Sequence, residues 1–429
     1  MDVEVDNLVI LVSTTLLLSF LSSYIYRLTK IPDVIWLMGF GILMGSGVQY
    51  VDKSLFNELA PLMSILALSI ILFEAGINVD ITTLLESLGK STALTLTTVL
   101  SSIILVGVAI NLILPQDFTL LQGMLLGAMV GGTSTVAVFG VLSNIAHTVP
   151  NFVSAKIMLT MESILSDPVC IIASITFIKM ILYPGTSLID GVKDIFFSFI
   201  FSSILGLAIG LTWSSILNRL RTHPYTYMIS LAVLLPSYIL SEHLIGEGSG
   251  AMTALVFGLS ITNFNYIMGK LGRPSKVRIN VKRLREFHEE IVFFIKSFFF
   301  VYIGVVVTLS WRYTFVGFFI VVLLVVLRYV VATFIGKSLR FTIEELVISR
   351  VVFATGLPSF VMSQLPQIWD PTKVRFLSPG LYPDLCMPIV LGTILFSGLI
   401  APMMITRELT NKKEALVDDK TNITSKTRT

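Results

Sequence analysis

The sequence predicts an all-α polytopic membrane protein with thirteen transmembrane helices, and three observations predict it. The 429 residues are 54% hydrophobic and only 13% charged, where a soluble domain carries about 25% charged residues. Apolar runs of spanning length follow one another with short polar loops between them, and a helix satisfies its own backbone while crossing hydrocarbon. Lysine and arginine are dense in one set of loops and sparse in the alternate set, as the positive-inside rule describes. The alternating ten-residue segments of a membrane β-barrel are absent.

Taken in order, the runs cover about 7–27, 31–49, 60–79, 89–114, 119–143, 153–181, 191–217, 224–242, 246–264, 287–309, 314–338, 344–366 and 384–406. The first has full spanning length and follows the acidic residues Asp2, Glu4 and Asp6, so it reads as a span rather than as a cleaved signal. With the N-terminus outside, the cytoplasmic segments hold 21 lysines and arginines and the outer loops 5 or 6. That bias predicts an odd number of spans, N-out and C-in. The basic linker at 270–285 reads as an orientation signal at an anionic leaflet, not as a nucleic-acid site. Residues 407–429 are a short polar cytoplasmic tail, and residues 1–406 form one transmembrane unit. Cys170 and Cys386 both lie in apolar runs and report nothing about a redox compartment.

Few ionisable residues remain deep in the spans: Glu162, Asp167, Lys296, Arg328, Arg350 and, nearer an end, Glu74. A central acid costs roughly 2.5–3.5 kcal/mol to insert, so these positions attract attention. Glu162 and Ser166 are four apart, as are Ser163 and Asp167, which lays acids and hydroxyls in a stripe on one helix face. Such oxygens can hold a hard monovalent cation or a proton. Arg328, central in its span, invites pairing with a buried acid. Lys296 can snorkel along its helix, and Arg350 can snorkel or pair. The four histidines, His147, His223, His243 and His288, fall near the ends of spans and read as surface residues.

Two spans are interrupted, the fifth by Gly131-Gly132-Thr133-Ser134-Thr135 and the twelfth by Thr355-Gly356-Leu357-Pro358-Ser359. Glycine pairs and an internal proline weaken the helical ladder, and hydroxyls can satisfy the freed backbone groups. Close packing through small residues is the alternative reading. Each break falls about twelve residues into its span, and the two spans run in opposite directions. Spans 4–6 and 11–13 are therefore candidate inverted repeats with two broken crossing helices, the usual pointer to a transporter's midplane site. Other classes lack their marks. His288-Glu289-Glu290 has no second zincin histidine, and Gly89-Lys90-Ser91 and Gly336-Lys337-Ser338 lack the earlier glycine of a phosphate-binding loop. No enzyme activity and no cofactor are expected. A cation channel, which also uses paired broken helices, stays open.

These residues resemble a known family. Met161-Glu162-Ser163-Ile164-Leu165-Ser166-Asp167-Pro168 looks like the Glu-Ser-x-x-Asn-Asp-Pro motif of monovalent cation/proton antiporters, the NhaP- and NHE-like sodium/proton antiporters, here of prokaryotic, archaeal type. Leu72-Phe73-Glu74-Ala75-Gly76-Ile77 is similar to the family's third-helix motif. Phe298-Phe299-Phe300-Val301-Tyr302-Ile303-Gly304 resembles its tenth-helix signature, Arg328 falls at its eleventh-helix arginine, and Gly356-Leu357-Pro358 resembles its broken twelfth helix.

The resemblance implies an NhaA-like antiporter fold and exchange of protons for Na⁺, with Li⁺ or K⁺ as alternatives. Asp167 would bind proton and cation in turn; Ser163, Thr133, Ser134, Thr135 and Ser166 would supply further oxygens, with Na⁺ at Asp167, Ser163 and Thr133. Glu162 would pair with Arg328, and Glu74 would be an accessory group. Spans at 89–181 and 314–406 would form a moving core, and those at 7–79 and 191–309 a scaffold through which a homodimer forms in the cell membrane. The chain departs from the pattern at Ser134, where an aspartate is usual, at Ser166, where an asparagine is usual, and at Thr355, where an arginine is common. One acid facing the ion implies 1:1, electroneutral exchange; a potassium/proton exchanger of the same fold is the alternative.

Overall fold

Asp80 shows how local chemistry sets the helix bounds. Its carboxylate accepts the backbone N–H of Thr82 at 2.8 Å and of Thr83 at 3.2 Å, and the Thr82 hydroxyl. This cap starts α4 (Ile81–Ile113) eight residues before the expected span at 89, because polar first turns extend a helix beyond its apolar run. The Thr82 hydroxyl and the N–H groups of the first turn hold the Asp80 carboxyl below the usual carboxylate range. In this computed structural model the described residues are 2–29, 32–47, 53–135, 138, 141, 142, 145, 152–183, 185, 188–220, 223, 225–273, 277, 279–307 and 310–410. His147, the tail from 411 and parts of the 270–285 linker lie outside them.

The remaining elements are all helical. They are α1 (Asp2–Thr29), α2 (Asp33–Ile42), α3 (Lys53–Asn78), α5 (Leu120–Val130), α6 (Val153–Leu182), α7 (Leu188–Leu220), α8 (Thr226–Leu244), α9 (Ser249–Thr262), α10 (Phe264–Lys270), α11 (Val281–Val306), α12 (Trp311–Ser338), α13 (Ile343–Val351), α14 (Leu357–Trp369) and α15 (Leu381–Leu395). Seven helices among the described residues are long and apolar enough to cross a membrane, or eight if α9 and α10, bent by 85°, count together. Each expected span falls on a helix or on a pair of half-helices. The thirteen expected spans are not all matched by helices of crossing length and apolarity: α2 and α5 are short, α13 and α14 are separate short helices, α11 opens with Lys282, Arg283 and Arg285, and the apolar part of α1 is Val12–Tyr26.

The helices pack in two groups. In one, α4 lies against α5, α6 and α12, α12 against α13 and α15, and α14 against α15. In the other, α9 lies between α3 and α7, and α11 against α2 and α3. Hydroxyls in the apolar runs are satisfied locally: Ser69, Thr176, Ser237 and Ser260 each donate to a carbonyl one turn back, so they need no partner across the packing. The groups pack against each other where α6 meets α7 and α14 meets α3, and the shortest covalent join between them is the two residues between α3 and α4. Asn263 brackets that join, its Oδ1 accepting from the Ile81 N–H at 2.9 Å and its Nδ2 donating to the Val79 carbonyl at 2.9 Å.

Close backbone contact holds the second group. A Cβ at Gly258 would sit 2.4 Å from the Phe73 carbonyl oxygen and 3.0 Å from the Ile77 nitrogen, backbone atoms that move only if α3 and α9 part. Gly258→Ala is expected to lower stability by about 1–3 kcal/mol, as overpacking does, read as a lower melting temperature of the purified protein in detergent. Gly269→Ala, with open space around the added carbon, is the control and should stay near wild type.

His288 corrects an expectation. It is fully buried, because α11 begins at Val281 and carries it two turns inward. Its ring packs 4.9 Å from that of Phe73, and Nδ1 lies 2.8 Å from the Leu284 carbonyl.

Candidate functional site

Two interrupted helices cross at the centre of the first group, and each begins in the same way. Thr119 and Gln122 form a reciprocal capping box ahead of α5, and Thr342 and Glu345 form one ahead of α13. This shared Thr-x-x-Gln/Glu start is a likeness between the two segments beyond their breaks. After Val130 the first chain leaves the helix at 131–134 and resumes at Thr135, while the second is extended from 352 to 356 before α14. They meet where the Ser134 N–H donates to the Ala354 carbonyl at 2.6 Å. A Cβ at Gly356 would lie 2.8 Å from that of Ser134, so glycine permits the crossing.

Backbone groups freed by the breaks are satisfied from the helix that follows each one. On α6 the Ser166 hydroxyl accepts from the Thr133 N–H at 3.0 Å and lies 3.0 Å from the Ser163 carbonyl. Beyond α15, Ser397 accepts from the Phe353 N–H at 3.3 Å and donates to its carbonyl at 2.6 Å, while the Thr355 N–H donates to Thr393 Oγ1 at 3.2 Å. Thr393 and Ser397 were absent from the expected site, since nothing in their spacing marks which distant backbone they serve. The Ser166 hydroxyl is engaged with backbone, and that of Ser163 donates to the Thr160 carbonyl at 2.8 Å.

Behind the crossing, Glu162 and Arg328 form a two-pronged ion pair, Oε1 to Nη1 at 2.5 Å and Oε2 to Nη2 at 2.7 Å, with each side chain 1% exposed. Arg328 Nε also donates to the Ser349 carbonyl at 2.6 Å, and Nη1 to Thr98 Oγ1 at 3.3 Å. Ser349 lies in the last turn of α13, where carbonyls lack helical partners and a cation is favoured. One arginine thus ties α4, α6, α12 and α13 together. Thr133 Oγ1 donates to Glu162 Oε1 at 3.3 Å. Arg350 pairs with Glu408 at 3.0 Å and donates to Thr333 at 2.8 Å, so its charge is held by partners.

In front of the crossing is a cavity of about 870 Å³ lined by Asp167, Ser134, Thr135 and Glu74. Thr133, Ser163, Ser166 and Glu162 are buried behind these residues. Among the described residues nothing donates a hydrogen bond to the Asp167 carboxylate, whose Oδ1 would sit 3.7 Å from a Cβ on Gly132. One carboxylate beside hydroxyls and the free ends of two broken helices is a donor set suited to a hard monovalent cation or a proton. On the far side of the crossing the packing is filled: Tyr382 donates to the Gln122 carbonyl at 3.0 Å, and Gln122 Nε2 to the Arg375 carbonyl at 3.1 Å.

Residues 15–410 match the family model described as "Sodium/hydrogen exchanger, transmembrane". The low-affinity Na⁺/H⁺ antiporter NhaS1 of Synechocystis is 26% identical over 72% of this chain and 55% of its own length. The K⁺/H⁺ antiporter NhaP2 of Shewanella baltica is 28% identical over 59% of this chain and 42% of its own length. The chain thus spans about half the length of these curated relatives. The solved structure of the sodium proton antiporter MjNhaP1 from Methanocaldococcus jannaschii superposes with a TM-score of 0.74 at 17% identity, covering 94% of this chain and 97% of that one. The fold is shared with that antiporter.

Proposed function

We propose, for a chain that belongs to the sodium/hydrogen exchanger family and is a multi-pass membrane protein, that it exchanges protons for a monovalent cation across the cell membrane by alternating access. The observation that carries this reading is Asp167, a buried carboxylate on the cavity wall beside the broken-helix crossing, whose neighbour Glu162 is already engaged by Arg328. A proton and a dehydrated cation then compete for the same oxygens. The crossing unit changes sides only when one of them is bound, and no ATP is needed. Cation-bound and proton-bound Asp167 carry the same net charge, so the exchange is 1:1 and electroneutral.

Ser134, Thr135 and backbone at 131–134 complete the coordination, with Thr133 and Ser163 positioned close behind. Ser166 serves chiefly by closing the break at Thr133. The group containing α4–α6 and α12–α15 is the moving core; the other helices form the scaffold and the homodimer contact, and the chain crosses thirteen times from an outer N-terminus. In that orientation the cavity, whose wall includes Lys156, opens to the cytoplasm. Na⁺ is the first candidate. A potassium/proton exchanger is the second reading, favoured by the neutral Ser134 at the crossing.

The test is a proteoliposome with an imposed pH gradient, challenged with Na⁺, Li⁺ and K⁺. Cation-dependent collapse of the gradient without net current supports the reading. Conductance that persists without proton countertransport would favour a channel, and electrogenic exchange would exclude 1:1 coupling. Ser134→Asp adds a second carboxylate to the cavity wall and is expected to change the ranking of the three cations. An unchanged ranking would remove position 134 from the ligand set.

A further inference from the structure

Lys296, a lysine able to snorkel, lines the cavity. On α11 the residues Val292, Lys296 and Phe300 recur at intervals of four and all line it, as one helix face must. Its Nζ lies 3.5 Å from Asp33 Oδ2, and the two side chains are only 15% and 23% exposed. Glu74, on the same wall, interacts electrostatically with Lys296. Three acids (Asp33, Glu74 and Asp167) and two lysines (Lys156 and Lys296) therefore share one water-accessible space.

The pair is asymmetric. Asp33 opens α2, and its Oδ1 accepts the Val34 N–H at 3.0 Å, so the helix N-terminus favours its negative charge whether or not the lysine is near. Among the described residues Lys296 hydrogen-bonds to Asp33 alone, and its four-carbon stem is flexible. A fixed anion beside a movable cation allows the amine to stay parked at Asp33 or to lean toward Glu74 and the crossing.

We propose that Lys296 is a tethered competitor of the transported cation, and that Asp33 sets the affinity of the cavity by holding it aside. An ammonium inside this space repels an arriving cation and screens the acids that would attract it. Removing it strengthens cation binding; releasing it from Asp33 weakens binding. Neither change alters the oxygens at Asp167, so the maximal rate is untouched. The inference rests on the exchange reading for its transport readout, but not for its binding readout.

Two measurements test it on the full chain: the KM for Na⁺ in proteoliposomes, and the Na⁺ concentration that half-maximally raises the melting temperature in detergent, which reports binding by linkage. Lys296→Met is expected to lower both about tenfold, the scale of removing one like charge from a partly shielded site, with kcat unchanged. Lys296→Arg should restore wild-type values. Asp33→Asn should raise both severalfold, and by clearly less in the Lys296→Met background, where only the loss of the Asp33 charge itself remains, as coupled residues do. If Lys296→Met fails to fold, Asp33→Asn still decides, because a merely structural pair would change stability without moving the Na⁺ dependence. Wild type that binds Na⁺ but does not exchange protons would overturn the exchange reading and leave this inference to the binding data. Wild-type exchange with Na⁺ dependence indifferent to both residues would overturn this inference alone.

Discussion

Proteoliposomes carrying Asp167→Asn are expected to hold an imposed pH gradient when Na⁺, Li⁺ or K⁺ is added, with no measurable cation-dependent exchange. Asparagine keeps the size of the side chain but neither titrates nor neutralises a cation. The variant should fold as well as the parent or better. The carboxylate is buried and lacks a hydrogen-bond donor among the described residues, so removing its charge removes a desolvation cost. Loss of exchange with a preserved melting temperature assigns Asp167 to ion handling. A large fall in melting temperature would instead mean that the acid holds the helix together before Pro168.

The largest effect on stability is expected at Arg328. Arg328→Met leaves Glu162 buried without its partner and frees the Ser349 carbonyl, a loss of about 3–5 kcal/mol for breaking such a pair from one side. The purified variant should melt far below wild type or fail to accumulate. The double variant Glu162→Gln with Arg328→Met should recover much of the loss, because no unpaired charge remains. A single variant at wild-type stability would show that the pair contributes nothing to the fold. Activity in the double variant then separates support of the site from participation in it.

Much of this was legible in the chain before folding. The break expected at 131 falls where α5 stops, but the one expected over 355–359 begins earlier: the chain is extended over 352–356, and Leu357-Pro358-Ser359 open α14, because proline suits the first turn of a helix. Asp167 and Glu162 stood out because charge is costly in apolar runs. Other features were hidden for a physical reason: they depend on which distant residue arrives. Thr393 and Ser397 read as ordinary hydroxyls until the extended stretch at 352–356 lies beside them. Asp33 looks like a helix-start acid until Lys296 reaches it from another helix. His288 seemed superficial because helix starts are hard to place from charge alone, and two extra turns of α11 carried it inside. The cap at Asp80, by contrast, is local, made by Thr82 and Thr83, and lay outside the apolar run from which the start of α4 was placed.

The bracket that Asn263 places around residues 79–81 has a mechanical consequence. A join of two residues held at both ends cannot stretch, so α4 and α3 can change their relation chiefly by rotation about Asp80. With 33 residues, α4 is a lever about 50 Å long at 1.5 Å per residue. A tilt of about ten degrees over that length carries its far end through roughly 9 Å, while the end at Asp80 hardly moves. Under the proposed alternating access the short clamped join would be the fulcrum, turning small angles at one end of α4 into large displacements at the other.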